Sequence, residues 1–167
     1  MVHALTGALI LAAVSTLGDF AWEALNLRHR VAYGLIHGAA VCLAVGAIVG
    51  WRAGRPMFGA VAGIAIGVAA AGLFYLLAPA LRYRAMFPAW MFFWLCFALL
   101  QAHLDRSRTY LNAAARGLIA AVLSGLAFYA ISGIWTRPAP GGPNYAYHFA
   151  CWTVAFLPGF LALLARR

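Results

Sequence analysis

MFGAVAGIAIGVAAAGLFYLLAPA, residues Met57–Ala80, carries no charged side chain in 24 positions. A helix rises about 1.5 Å per residue, so about 20 mostly apolar residues cross the ~30 Å hydrocarbon layer of a bilayer. This segment therefore reads as a transmembrane helix. Five further runs meet the same length requirement: Ala4–Leu25, Ala32–Trp51, Ala85–Leu104, Asn112–Trp135 and Tyr145–Ala165. The expected fold is all-α, a polytopic membrane bundle of six transmembrane helices forming a single domain over residues 1–167.

Composition agrees with that solvent. The chain has 167 residues, 66% of them apolar and 9% charged, with a mean hydropathy of +0.89. Soluble domains average about 45–50% apolar and about 25% charged residues, so too little polar side chain exists here to cover a water-facing surface. The formal charge of +9 arises from 12 arginines, with no lysine, against Asp19, Glu23 and Asp105. These arginines stand in short clusters between the apolar runs, where they anchor helix ends at lipid headgroups. No nucleic-acid partner is expected. Cys42, Cys96 and Cys151 all lie inside apolar runs and read as small hydrophobes rather than a disulfide framework. Met1-Val2-His3 lacks the basic start of a signal peptide, so the first run reads as a retained helix.

Six spans put both termini on one side. Arg52, Arg55, Arg106, Arg108, Arg116, Arg166 and Arg167 share it, against Arg28, Arg30, Arg82, Arg84 and Arg137 opposite. Seven against five places both termini in the cytoplasm by the positive-inside rule. The Arg-only, Ala- and Gly-rich composition points to a GC-rich bacterial genome and hence a cytoplasmic membrane. Between the last two spans, Thr136–Asn144 contains Pro138, Pro140, Gly141, Gly142 and Pro143 and reads as an irregular loop.

Small residues recur at four-residue spacing in three spans: Gly34, Gly38, Cys42, Gly46 and Gly50; Gly59, Gly63 and Gly67; Gly117, Ala121 and Gly125, with Gly133 eight further on. Such GxxxG-type rows let helix backbones approach closely. They predict a tightly packed centre built by spans two, three and five, or a seal between two copies of the chain.

The sharpest polar feature lies in span one. Ser15, Asp19, Glu23, Asn26 and Arg30 are spaced by four, four, three and four, forming one stripe. An acid at mid-bilayer costs about 2.5–3.5 kcal/mol on insertion scales, so Asp19 should face protein or a water-filled cavity. His37 and His148 begin spans two and six at the same level. Together with Asp19 and Glu23 they make a candidate polar site. Their spacing contains no ligand pair such as His-x3-His, so no metal and no other cofactor is expected.

Span four carries Phe87, Trp90, Trp94, Phe97 and Gln101 at helical spacing. Beside the glycine faces at Gly38 and Gly63, Trp90, Trp94 and Phe97 suit the wall of a greasy cleft. Pro158-Gly159 interrupts span six and would bend it, widening such a cleft. No Ser-His-Asp order, His-Glu-x-x-His or phosphate loop occurs, so catalytic residues are not assigned and enzyme status leans to no.

Leu104-Asp105-Arg106-Ser107-Arg108 closes span four. This tetrad Asp-Arg-Ser-Arg, after an aromatic helix and before a glycine-rich one, resembles the Insig proteins of sterol sensing. The likeness continues through Phe128-Tyr129, Gly133-Ile134-Trp135, Tyr145, Tyr147, Trp152 and Gly159, covering about Trp90 to Gly159. The family's paired prolines in span two and its polar stretch after span three have no counterpart. The resemblance implies a six-helix bundle with a lipid- or sterol-accessible cavity, cytoplasmic termini, and a membrane-protein partner bound with the help of Asp105.

These readings converge on a non-enzymatic membrane protein that binds a lipid or sterol-like ligand in an intramembrane cleft. Two alternatives stand beside it: a small proton- or cation-coupled transporter using Asp19 and Glu23, and a lipid-modifying enzyme using Asp19, Glu23, His37 and His148. Expected partners are membrane lipid and either a membrane protein or a second copy of the chain.

Overall fold

The computed structural model describes residues 1–25, 29–105, 109–135 and 144–164; the side chains of Glu23, Tyr83 and residues 132–135 lie outside the described set. Six helices follow in order: α1 Val2–Leu25, α2 Arg30–Arg52, α3 Pro56–Leu81, α4 Met86–Leu104, α5 Tyr110–Trp135 and α6 Tyr145–Leu164, with a short 3-10 turn at Arg82–Ala85. Their lengths run from 19 to 26 residues, and each is long and apolar enough to cross a membrane. The protein is a six-helix transmembrane bundle. Most of the Thr136–Asn144 connection lies outside the described residues, as do Arg28, Arg106, Ser107 and Arg108 of the charged clusters.

Local chemistry sets the boundaries. Pro56 sits in the first turn of α3, where a missing N–H costs nothing. The turn before it is closed by Gly54 at φ +70°, a conformation that penalises any Cβ. Arg116 on α5 reaches the end of α6, donating from Nε and Nη2 to the Ala162 carbonyl at 3.2 and 3.0 Å and from Nη2 to Leu163 at 2.8 Å. Carbonyls near a helix C-terminus are the ones that lack intrahelical donors, and a cation also offsets the helix dipole there.

Each helix packs on its sequence neighbours, and α1 meets α6, so the six form a closed ring; α4 leans inward to touch α2 and α6 as well. Side chains such as Val61, Leu76, Leu118 and Leu126 point outward, as a lipid-facing surface requires. The centre is aromatic. Trp90 stacks on Phe156 with ring centroids 5.3 Å apart, Phe93 meets Trp94 edge-on at 4.8 Å, and Trp94 meets Phe160 at 5.4 Å.

Small residues act pairwise rather than at a common centre. α2 and α3 close backbone to backbone: a Cβ on Gly59 would overlap the Gly46 carbonyl, and one on Gly63 would overlap the Cys42 carbonyl. The α5 row faces elsewhere. Gly117 lies against Leu95 and Ala98 of α4, and Gly125 against Phe87. The expected centre of spans two, three and five is therefore replaced by a welded α2–α3 hairpin and a separate α4–α5 contact, because the bulky α4 aromatics occupy the middle.

Pro158 lies within α6, and neither it nor Gly159 lines the cavity described below. The Trp94 indole fills the notch left by Gly159, where a Cβ would collide with its ring. The expected widening is absent at this position because a side chain has taken it.

Candidate functional site

A cavity of about 310 Å³ separates the α2–α3 hairpin from α1, α4 and α6. It follows from the packing just described. The hairpin is held tightly within itself, while its seams against α1 and α4 are slimmer. Small residues on the hairpin side, Gly38, Gly67, Ala70 and Ala71, leave room opposite Ala89 and Trp90 of α4. The rim carries Trp22, Tyr33, Tyr75 and Met86, and the wall extends inward to Cys42, Gly67 and Phe93. At 1.5 Å per residue, Tyr33 to Cys42 spans about 14 Å. The cavity therefore reaches from one end of the bundle towards its middle.

Its polar groups gather on one side. Asp19 projects from α1, and its Oδ2 accepts from the Trp152 indole N–H at 3.0 Å and pairs with His148 Nε2 at 2.8 Å. The two nitrogens are 3.2 Å apart. That closeness is explained if both donate to the same oxygen, since the indole has a single proton; His148 then carries its hydrogen on Nε2. Both contacts fall on Oδ2, and none of them uses Oδ1. The side chains are 34% exposed at Asp19 and 16% at His148, so the cluster lies neither in open water nor in a sealed core.

A second group, on α2, stands beside this cluster. The Tyr33 hydroxyl donates to the Gly18 carbonyl, and His37 Nδ1 lies 3.4 Å from that hydroxyl. Gly18 matters through its size, because a Cβ there would strike the His37 ring. Tyr75 donates to the Arg30 carbonyl at 2.7 Å, tying α3 to the start of α2. One turn inward from Asp19, Ser15 lies on the cavity wall at 1% exposure, and its Oγ has no partner among the described residues.

The structure distributes the sequence-derived residues unevenly. Asp19, His37, Gly38 and Trp90 lie on the cavity wall, and His148 joins through Asp19. Trp94 and Phe97, each 0% exposed, belong to the solid aromatic core, and Gly63 is closed against α2; these three do not line the cavity. The correction has a simple cause. A helical stripe of five residues drifts around its axis, and only its first turns face the gap. Asp105 follows α4 at the other end of the bundle, with its N–H bonded to the Gln101 carbonyl at 2.8 Å. Its tetrad partners and the Glu23 side chain lie outside the described residues.

Tyr33 and Tyr75 belong to the aromatic residues that the sequence clusters at the non-cytoplasmic helix ends, as an interfacial belt or the lining of a ligand mouth, whereas Trp152 was not singled out as a site residue. Two of them carry a readable signal: Tyr33 precedes His37 by four, and Trp152 follows His148 by four, so each aromatic shares a helix face with a site histidine. Among the described residues, no group of three His, Cys, Asp or Glu side chains could hold a metal ion. The cavity can accept an apolar body along its inner wall and a hydrogen-bonding or charged group at Asp19. No protein-family model, no curated protein and no solved structure matches the chain.

Proposed function

We propose that this protein binds a membrane-derived amphipathic ligand, lipid or sterol-like, in the cavity between the α2–α3 hairpin and α1, α4 and α6. The observation that carries the reading is a 310 Å³ space with apolar inner walls and a polar cluster at one end. Small-molecule sites usually measure about 300–1,000 Å³ and combine apolar linings with a few convergent polar groups. This volume falls at the lower end, which favours a single chain or a compact ring over an entire two-chain lipid. The ligand would enter from the bilayer between helices, with its polar head at Asp19 and its body against Trp90 and Ala89.

Native mass spectrometry tests the reading. The detergent-purified protein should retain a bound small molecule that denaturation releases. Ala89→Phe, which fills the space with a ring, should carry much less. Equal retention by the two proteins would refute it.

Coupled transport is a second reading, supported by the position of the Asp19 carboxylate on the cavity wall with His148 bonded to it. Liposomes containing the protein should then show a proton or cation flux that Asp19→Asn abolishes. No flux with the unmodified protein would remove it.

A further inference from the structure

We propose that the ligand of this cavity is a lipophilic organic cation, an amine or quaternary ammonium on one hydrocarbon chain or small ring system, with its charge seated at Asp19. The inference rests on the cavity being a ligand site and adds the chemistry of the head group.

Charge distribution is the first argument. The chain bears 12 arginines and three acids, yet among the described residues no arginine lines the cavity, and its wall carries the acid Asp19 with His37 as the other titratable group that ionises near neutral pH. In a protein of net charge +9 this is a locally acidic place. A cation leaving water needs a fixed counter-charge, because an unpaired ion in an apolar medium is strongly disfavoured. Asp19 supplies one, and Trp152 and His148 orient it through Oδ2 while Oδ1 takes neither of those bonds. An anionic head would meet the carboxylate with no arginine among the described wall residues to balance it.

The aromatic lining is the second. Eight of the twenty wall residues are Phe, Trp or Tyr, far above the 14% of the whole chain. Trp22, Tyr33, Tyr75 and Trp152 surround the level of Asp19. Aromatic faces attract cations through their quadrupole, and rings grouped around a carboxylate are the usual means of holding an ammonium that cannot be fully hydrated. The hydroxyls of Tyr33 and Tyr75 are bonded to the Gly18 and Arg30 carbonyls, so their rings are held in place before any ligand arrives.

Ser15 is the third. Its Oγ is buried on the wall without a partner among the described residues, one turn inward from Asp19. An orphaned buried hydroxyl is rare, since such groups are normally satisfied. Thr16 Oγ1 and Trp94 Nε1 are also buried without a partner among the described residues, but of these three side chains only Ser15 belongs to the wall, where a turn of its hydroxyl would meet a ligand N–H or hydroxyl beyond the charged nitrogen.

The test compares three probes that share a ten-carbon chain: decyltrimethylammonium, decanol and decanoate. Binding to the purified protein in nanodiscs is followed by calorimetry, with Ala89→Phe measuring partition into the lipid. Decyltrimethylammonium should bind about tenfold or more tighter than decanol, with decanoate weakest. Asp19→Asn should abolish the advantage of the cation over decanol. A cation no better than decanol, or decanoate binding tightest, overturns the cationic assignment and leaves the cavity as a ligand site. No probe binding above the Ala89→Phe background overturns both. Should Asp19→Asn fail to fold, the ranking of the three probes on the unmodified protein decides alone.

Discussion

His148 Nε2 and Asp19 Oδ2 meet at 2.8 Å across 129 positions of sequence, joining the end of α1 to the start of α6. The contact closes the helix ring at this end, and Trp152 reinforces it with a second bond to the same oxygen at 3.0 Å. Interhelical hydrogen bonds in membranes average about 0.6 kcal/mol and reach about 1.7 kcal/mol, because helices separated in the bilayer find other partners. With two donors on one carboxylate oxygen, the upper part of that range applies. A double-mutant cycle between Asp19→Asn and His148→Ala, read by equilibrium unfolding in detergent, should give a coupling of about 1–2 kcal/mol. Strict additivity would show that the pair is not formed.

The α2–α3 weld makes a sharper claim. A Cβ at Gly59 would meet the carbonyl oxygen of Gly46 and the backbone of Gly50, and neither can turn aside. Gly59→Ala should therefore destabilise the protein by about 1–3 kcal/mol, the usual cost of forcing atoms into a closed interface. Gly72 sits on the same helix with nothing within 4 Å of an added Cβ. Gly72→Ala should be neutral or stabilising by about 0.5–1 kcal/mol, since alanine loses less backbone entropy in a helix. Thermal unfolding of both variants separates the two effects, and similar melting temperatures would contradict the close approach.

These residues also show how far the sequence could be read. The six spans were legible because hydrocarbon thickness dictates the length of an apolar run, and Met57–Ala80 satisfies it without ambiguity. The stripe containing Ser15 and Asp19 was legible because helical periodicity puts i and i+4 on one face. Which helix that face meets was not. His148 and Trp152 approach Asp19 through the ring closure of α1 on α6, and nothing local encodes that pairing. The rows of small residues marked close contact but not its partner, so Gly117 turned out to face α4 rather than α2 or α3. Bulk decides such choices: the aromatic α4 fills the middle, and glycine faces close wherever space remains.

Trp94 separates the core from the cavity. Its ring is fully buried against Gly159 and Phe160 and stands outside the cavity wall. Trp94→Ala should cost about 3–5 kcal/mol of stability through the void it leaves. Gly159→Ala, which pushes on the same indole, should cost about 1–3 kcal/mol. Where Gly159→Ala still folds, its retained ligand should match that of the unmodified protein in native mass spectrometry. Loss of ligand with unchanged stability would place Trp94 at the binding site instead.

Arg116 has a structural role that charge alone would not perform. It reaches the Ala162 carbonyl with both Nε and Nη2 and reaches Leu163 with Nη2, a fork that lysine cannot reproduce. Arg116→Lys should keep the dipole interaction and lose the paired bonds, and Arg116→Met should lose both. Hydrogen exchange in the last turn of α6 should accelerate in the order native, Lys, Met, while exchange at the start of α6 around His148 stays unchanged. Equal protection in all three proteins would show that this end of α6 does not depend on Arg116.

Ser15 permits a prediction in which stability and binding move in opposite directions. Its buried Oγ has no partner among the described residues, and an unsatisfied buried hydroxyl costs about 1–3 kcal/mol. Ser15→Ala removes that hydroxyl and little volume, so the ligand-free protein should unfold at a higher temperature. If the hydroxyl instead meets a bound ligand, the same substitution should weaken ligand retention, and the stabilising shift should shrink or reverse once ligand is present. Differential scanning calorimetry on delipidated and lipid-replete samples measures both. A Ser15→Ala protein less stable than the unmodified one in the delipidated state would mean that Oγ is satisfied within the fold, leaving it no part in recognition.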